Sequence, residues 1–225
     1  MAAASRTKKK AGARRRRPGR PPADQPNLRE RLLDGALECF KTTSIAATSL
    51  RSIAIAAGVT PAMVHYYFGS KERLLEAFIT ERILPEIAML AASVGAVGED
   101  PRALVAAFVH GIHAVVMRRQ WLPALWMREV IGEHGALREM LFKHIAERVP
   151  RMLVQRFAAL QKEGAVSTDL DPRLLVVSLV GLTLFPLAAQ SIWRRLFDAE
   201  DVDVAALERH TLALLDHGFG GAHAR

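Results

Sequence analysis

An all-α fold of about nine helices is what this 225-residue sequence predicts. Half of its residues are hydrophobic while only 6% are aromatic, and alanine and leucine, both strong helix formers, dominate the apolar set. Apolar residues recur at three- and four-residue spacing along most of the chain. No period-two alternation of the kind a half-buried strand needs stands out, and no internal repeat does. The length suits one large domain or two modest ones.

The first 26 residues stand apart. They hold nine Lys or Arg and one acid, Asp24, whereas the rest balances 22 bases against 22 acids. Residues 1–26 therefore carry the whole net charge of +8. Proline, glycine and mutually repelling charges predict a disordered basic arm. No apolar run follows it, so it is not a secretory signal. Arg17-Pro18-Gly19-Arg20-Pro21 resembles the core of an AT-hook, whose arginines lie in a narrow, electronegative minor groove. The other reading is a nonspecific phosphate tether; the sequence leaves both open.

Helix one is expected over about Asn27–Lys41, capped by Asn27 with Glu30 three residues on, and burying Leu33, Ala36, Leu37 and Phe40. Thr48 is the expected N-cap of helix two, whose apolar face is Leu50, Ile53, Ala54 and Ala57. Gly58 falls where a left-handed C-cap is needed. Thr60 caps helix three, with Pro61 at its first position, where a missing N–H costs nothing. Val64 and Phe68 point back at helix two, leaving Pro61, Ala62, His65 and Tyr66 outward. Ser70 caps helix four. Two short helices across a tight glycine turn form a helix-turn-helix. Its outward face of small residues, one imidazole and tyrosine hydroxyls suits a DNA groove: small residues allow close approach, His65 reaches base edges, and hydroxyls reach phosphates.

These residues resemble the tetracycline-repressor (TetR) family of bacterial regulators. The resemblance runs from about Asn27 to Phe78 and is carried by Gly58-Val59, Tyr67-Phe68-Gly69-Ser70-Lys71-Glu72 and Leu74-Leu75. It implies base contacts from Arg51, Pro61, Ala62 and His65, and backbone contacts from Thr48, Met63, Tyr66, Tyr67 and Lys71; Thr60 joins this DNA-facing set. The chain departs from the family at Ser44, where a glycine is usual. The resemblance fades after Phe78. It implies a helix-turn-helix head over 27–74 and a ligand-binding and dimerisation body over 75–225.

In the body, helix four is expected from Ser70 to about Ile83, before Pro85, with a continuation beyond it left open. Helix five is expected over Pro101–Arg118 and helix six over Trp121–Ile131. Helix seven spans Gly135–Glu163 with a break or kink at Pro150. Helix eight opens at Asp171-Pro172 and reaches Leu196, and helix nine spans Val202–His217. Between Arg173 and Arg194 lie twenty uncharged residues, enough to cross a bilayer. Ser178, Gly181, Thr183, Pro186, Gln190 and Ser191 interrupt them, which favours a buried helix and no membrane association. The resemblance implies a homodimer built on the last two long helices, and a palindromic double-stranded DNA operator.

Met89, Phe108, Met117, Trp121, Trp126, Met127 and Phe185 are candidates to line a small-molecule effector pocket, or are ordinary core. His110 and His113 share a helix face and can orient a polar ligand. A metal would need a third group such as His134 or Glu133, and that pattern falls short of a site. Arg128 and Glu129 read as solvated or paired charges. The single Cys39 reads as a small buried hydrophobe ahead of a redox-sensing thiol, in a reducing cytoplasm. No phosphate loop, dinucleotide fingerprint or nucleophile elbow appears, so neither enzymatic activity nor a cofactor is expected. The expected function is a dimeric repressor released from its operator by a largely apolar ligand. The alternative is a constitutive DNA-binding or architectural protein.

Overall fold

The computed structural model describes residues 26–220. The basic arm, with Arg17 and Arg20, lies outside the described residues. Every regular element among them is helical. In order these are α1 (Pro26–Thr42), α2 (Leu50–Ala56), α3 (Pro61–Phe68), α4 (Lys71–Phe78), α5 (Leu84–Gly95), α6 (Pro101–Arg118), α7 (Leu122–Trp126), α8 (Arg138–Met140), α9 (Pro150–Lys162), α10 (Pro172–Ala188), α11 (Gln190–Leu196) and α12 (Val204–Gly220). Three π-helical turns, Ile79–Ile83, Met127–Ile131 and Leu141–Ile145, join or extend them.

Helix boundaries depart from the sequence expectation, or fill in what it left open, at three prolines and junctions, two of them beside π turns. The Leu84 N–H donates to Ile79 O, five residues back. That wide turn carries α4 directly into α5 and sets Pro85 in the first turn of α5, where it breaks no helical bond. Pro150 does more than kink a long helix: it opens α9 after a separate short α8 and its π turn. The expected single helix from Pro172 to Leu196 is broken at Ala189, and α10 and α11 meet at 71°. No single helix among the described residues is long and apolar enough to cross a membrane.

Thr48 does not cap α2. Ser49 does, accepting from the Ser52 N–H while the Ser52 hydroxyl takes the Ser49 N–H in return. Thr48 is buried, and its hydroxyl donates to Ser44 O at 2.9 Å. Ser44 also accepts from the Ala47 N–H through its own hydroxyl, so serine closes the turn where a glycine is usual. Glu30 pairs with Arg82. The expected glycine turn is present, with Gly58 at φ 66° and Gly69 at φ 74°. Gly35 is a constraint the sequence did not flag. A Cβ there would lie 2.9 Å from Ala57 N and 3.0 Å from Ile53 O, so α1 and α2 touch backbone to backbone.

One continuous apolar core runs from Leu32 and Phe40 of α1 through Phe78 and Leu104 to Leu184 of α10. Cys39 packs half-buried against it. α10 lies between α9, α6 and α12. Its inner side buries Leu175, Val176, Leu179, Thr183, Leu184 and Leu187. Its outer side leaves Leu174, Val177 and Phe185 62%, 65% and 58% exposed, with Leu182 beside them.

Candidate nucleic-acid interface

The outward side of α3 follows from its packing. Val64 and Phe68 are buried against α2 and the core, which turns Pro61, Ala62, His65 and Tyr66 to the exterior. Thr60 precedes them, exposed and extended, with its hydroxyl making no cap bond. Arg51 is exposed on α2, while Met63 and Tyr67 are half-buried. Tyr67 meets Tyr66 edge-to-face at 5.3 Å, which orders both rings. His65 Nδ1 lies 3.0 Å from Gly69 O. A carbonyl only accepts, so Nδ1 carries the proton. That leaves Nε2 for an outside partner, as acceptor in the neutral ring and donor in the charged one. Lys71 donates to Ala46 O at 2.8 Å, holding the turn before α2 against the start of α4. Two of its three N–H bonds stay available.

Thus the structure brings Thr60, Pro61, Ala62, His65 and Tyr66 onto one face and sets Arg51, Tyr67 and Lys71 around it. Thr48 is the exception, because its buried hydroxyl is already spent. Sequence reasoning missed two cations here. Arg31 caps α2 from α1, donating to Ala57 O at 2.8 Å. Arg73 is exposed in a groove that it shares with His65, Tyr66 and Gly69. An arginine one turn into a helix carries no sequence signal that separates it from a solvated charge.

The unit is tied to the body by specific polar contacts. Arg82 donates to Glu30 and Asp34 of α1 at 2.6 and 2.9 Å, and Arg29 pairs with Glu81. These are partly exposed, so each is worth little. The tie through Glu129 differs, since this carboxylate is 2% exposed. It accepts from the Ile45 N–H at 3.0 Å, from Arg128 Nε at 3.0 Å and from the Ala136 N–H at 3.3 Å. Arg128 also donates to Phe40 O. The expected pairing of Arg128 and Glu129 is present, with the carboxylate buried and the guanidinium partly exposed.

The candidate pocket residues do not converge. Met89, Met117 and Phe185 are exposed. Phe108 and Trp126 border an enclosed, wholly apolar cavity of about 70 Å³, together with Leu90, Ile112, Leu141 and Ile145. Met127 is half-buried and is not among its walls. Met117 and Trp121 line a different cleft, against α1. His110 is exposed and lies 2.5 Å from Glu208 of α12. His113 is 2% exposed, and neither ring nitrogen makes a close hydrogen bond among the described residues. Among the described residues no His, Cys, Asp and Glu group could hold a metal.

Burial pushes the His113 pKa below its ordinary 6.5, with His110 adding to the shift and Glu208 opposing it. A histidine that resists protonation only when folded stabilises fully above the unfolded value. That contribution falls as the pH drops below about 6.5. Thermal melts from pH 8 to 5 should show this acid limb, and a His113→Leu variant should flatten it. An unchanged limb would assign it to other groups.

Residues 32–78 match the model of the family described as bacterial regulatory proteins, tetR family. The HTH-type transcriptional regulator BetI of Rhizobium meliloti (strain 1021) is 46% identical over 55 residues, which span 24% of this chain and 27% of that protein. BetI of Stenotrophomonas maltophilia (strain R551-3) is 29% identical over 167 residues, 70% of this chain and 84% of that one. Two solved structures share the fold. FadR from Bacillus subtilis, in complex with stearoyl-CoA, has a TM-score of 0.65 at 18% identity, covering 86% of this chain and 99% of that one. NalD, the secondary repressor of the MexAB-OprM multidrug efflux pump in Pseudomonas aeruginosa, has a TM-score of 0.62 at 21% identity, covering 87% and 98%.

Proposed function

From membership of the tetR family of bacterial regulatory proteins, to which this chain belongs, we infer that it is a homodimeric transcriptional repressor released from a palindromic operator by a small, largely apolar effector. Residues 27–74 read DNA, and 75–225 sense and dimerise. The observation that carries this reading is the outward face of α3, built from Pro61, Ala62, His65 and Tyr66 over a rigid α2–α3 corner. Among the described residues that face stands open to the exterior, and its residue types suit close approach to base edges.

Base-contact and backbone-contact residues separate in one experiment. Replacing Arg51 or His65 with alanine should cost about 1–3 kcal/mol on the best site and relax the selected sequence. Replacing Tyr67 or Lys71 should weaken all sequences alike and flatten the salt dependence. Binding-site selection that returns the parental sequence from the His65→Ala variant would remove His65 from base reading.

The arm adds electrostatic reach on this reading. Deleting residues 2–24 should leave the fold unchanged. The slope of log affinity against log salt should fall by about 0.9 for each phosphate that the arm no longer neutralises. If Arg20 reads a minor groove, Arg20→Ala should cost more affinity on A·T-rich than on G·C-rich operator flanks.

Dimerisation is supported by the apolar stripe of α10, which the described residues leave uncovered. Effector release is supported by the enclosed cavity, two of whose walls, Leu141 and Ile145, belong to a π turn. A small molecule there favours whichever head arrangement widens it, and differential affinity then lowers operator binding. The cavity's volume of about 70 Å³ is far below the roughly 300–1,000 Å³ of ligand sites. That observation favours the second reading, a constitutive DNA-binding protein whose cavity is simply core. Thermal-shift screening separates the two: an effector must both stabilise the protein and loosen the operator complex.

A further inference from the structure

We propose that the cleft between α1 and the α6–α7 corner is a second small-molecule site, for an anion carried on an apolar or aromatic body. The cleft has a volume of about 570 Å³, within the range of ligand sites and well above that of the enclosed cavity. Its walls divide by chemistry. Leu37, Met117 and Trp121 give apolar surface, and the charged side chains on it are Lys41, Arg118 and Arg128, with no acid among its lining residues.

The acids that pair these cations leave the cleft electropositive. Glu86 is nearly buried and is shared by two guanidiniums, Arg118 at 3.0 Å and Arg119 at 2.9 Å. One carboxylate cannot neutralise both. Glu129 is buried behind Arg128, and it also takes the Ile45 and Ala136 N–H groups. The pairing of Lys41 with Glu38 is exposed on both sides and weak. A carboxylate, sulfonate or phosphate entering here meets three cations. Its apolar portion covers exposed Met117 and the half-buried Leu37 and Trp121.

The place of the cleft gives binding a consequence, which rests on the regulatory reading above. Phe40 and Arg128 are both walls of the cleft and partners in the tie from body to head. An anion on Arg128 competes with Phe40 O and Glu129 for the same guanidinium. Occupancy therefore alters how the DNA-reading unit is held, by a route separate from the enclosed cavity.

The probe is 8-anilinonaphthalene-1-sulfonate, compared with its uncharged counterpart N-phenyl-1-naphthylamine, on the full chain. The sulfonate should bind at least about tenfold more tightly and quench tryptophan emission through Trp121. Lys41→Glu reverses one exposed cleft charge and threatens no core contact. It should weaken the sulfonate by about tenfold and leave the neutral dye unchanged. Equal affinity of the two dyes, or a sulfonate indifferent to both Lys41→Glu and Arg118→Met, overturns the site. Operator anisotropy without dye tests DNA binding independently. An operator affinity that saturating sulfonate does not move, at a confirmed site, overturns the coupling alone.

Discussion

A Phe185→Glu variant is expected to be monomeric and to lose about 10²–10⁴-fold in operator affinity, while keeping its fold. The stripe of Leu174, Val177, Leu182 and Phe185 follows helical spacing along the outer side of α10. Gly181 sits within it, and a Cβ added there meets nothing within 4 Å, which leaves room for a second helix to approach. Exposed Ile192 and Leu196 of α11 and Leu214 of α12 add further apolar surface. An exposed apolar helix face of this kind on a globular protein marks an interface. Burying a glutamate there with no partner disfavours association strongly. Affinity falls because a dimer engages its second half-site intramolecularly and a monomer cannot. Leu184→Glu, one position away, is a different experiment: Leu184 faces the core and lines the enclosed cavity, so that variant should unfold. Light scattering showing Phe185→Glu as a dimer that binds operator normally would place the interface elsewhere.

The helix-turn-helix corner was legible in the sequence because its signals are local. Gly58, Pro61, Gly69 and Ser70 each need a particular backbone conformation, and each sits where one is required. Thr48 misled because Ser49 beside it caps equally well, and only the closure of the 44–48 turn decides which hydroxyl is free. The body was legible as helices but not as a site. Phe108 and Phe185 are both apolar residues in helical patterns, and one is core while the other is bare surface. Periodicity fixes which residues share a face, and tertiary packing decides whether that face is covered. Proline was the better guide: the break expected at Pro150 is there, and α9 opens on it. What had no sequence signature is the π turn Ile79–Ile83, whose wide hydrogen bond carries α4 into α5 ahead of Pro85.

Replacing Glu129 with alanine is expected to cost about 1–3 kcal/mol of stability, the range for leaving a buried hydrogen-bond donor without its partner, because Arg128 itself is partly exposed and can regain water. The loss has identifiable parts. Arg128 would keep its bond to Phe40 O but lose its counter-charge. The Ile45 and Ala136 N–H groups would lose the oxygens that satisfy them; Ala136 is exposed and can turn to water, but Ile45 is buried, and a buried donor left without a partner carries its full desolvation penalty. Glu129→Gln keeps the size and one acceptor oxygen, so it should retain part of the loss and help divide charge from hydrogen bonding. The effect should also appear far along the chain. Ile45 sits in the turn that Lys71 holds through Ala46 O, so amide exchange at Ile45 should accelerate and operator affinity should fall with stability. Urea unfolding that places Glu129→Ala within about 1 kcal/mol of the parent would mean that water replaces the carboxylate. The buried tie would then hold no more than the exposed pairs of Arg82 do.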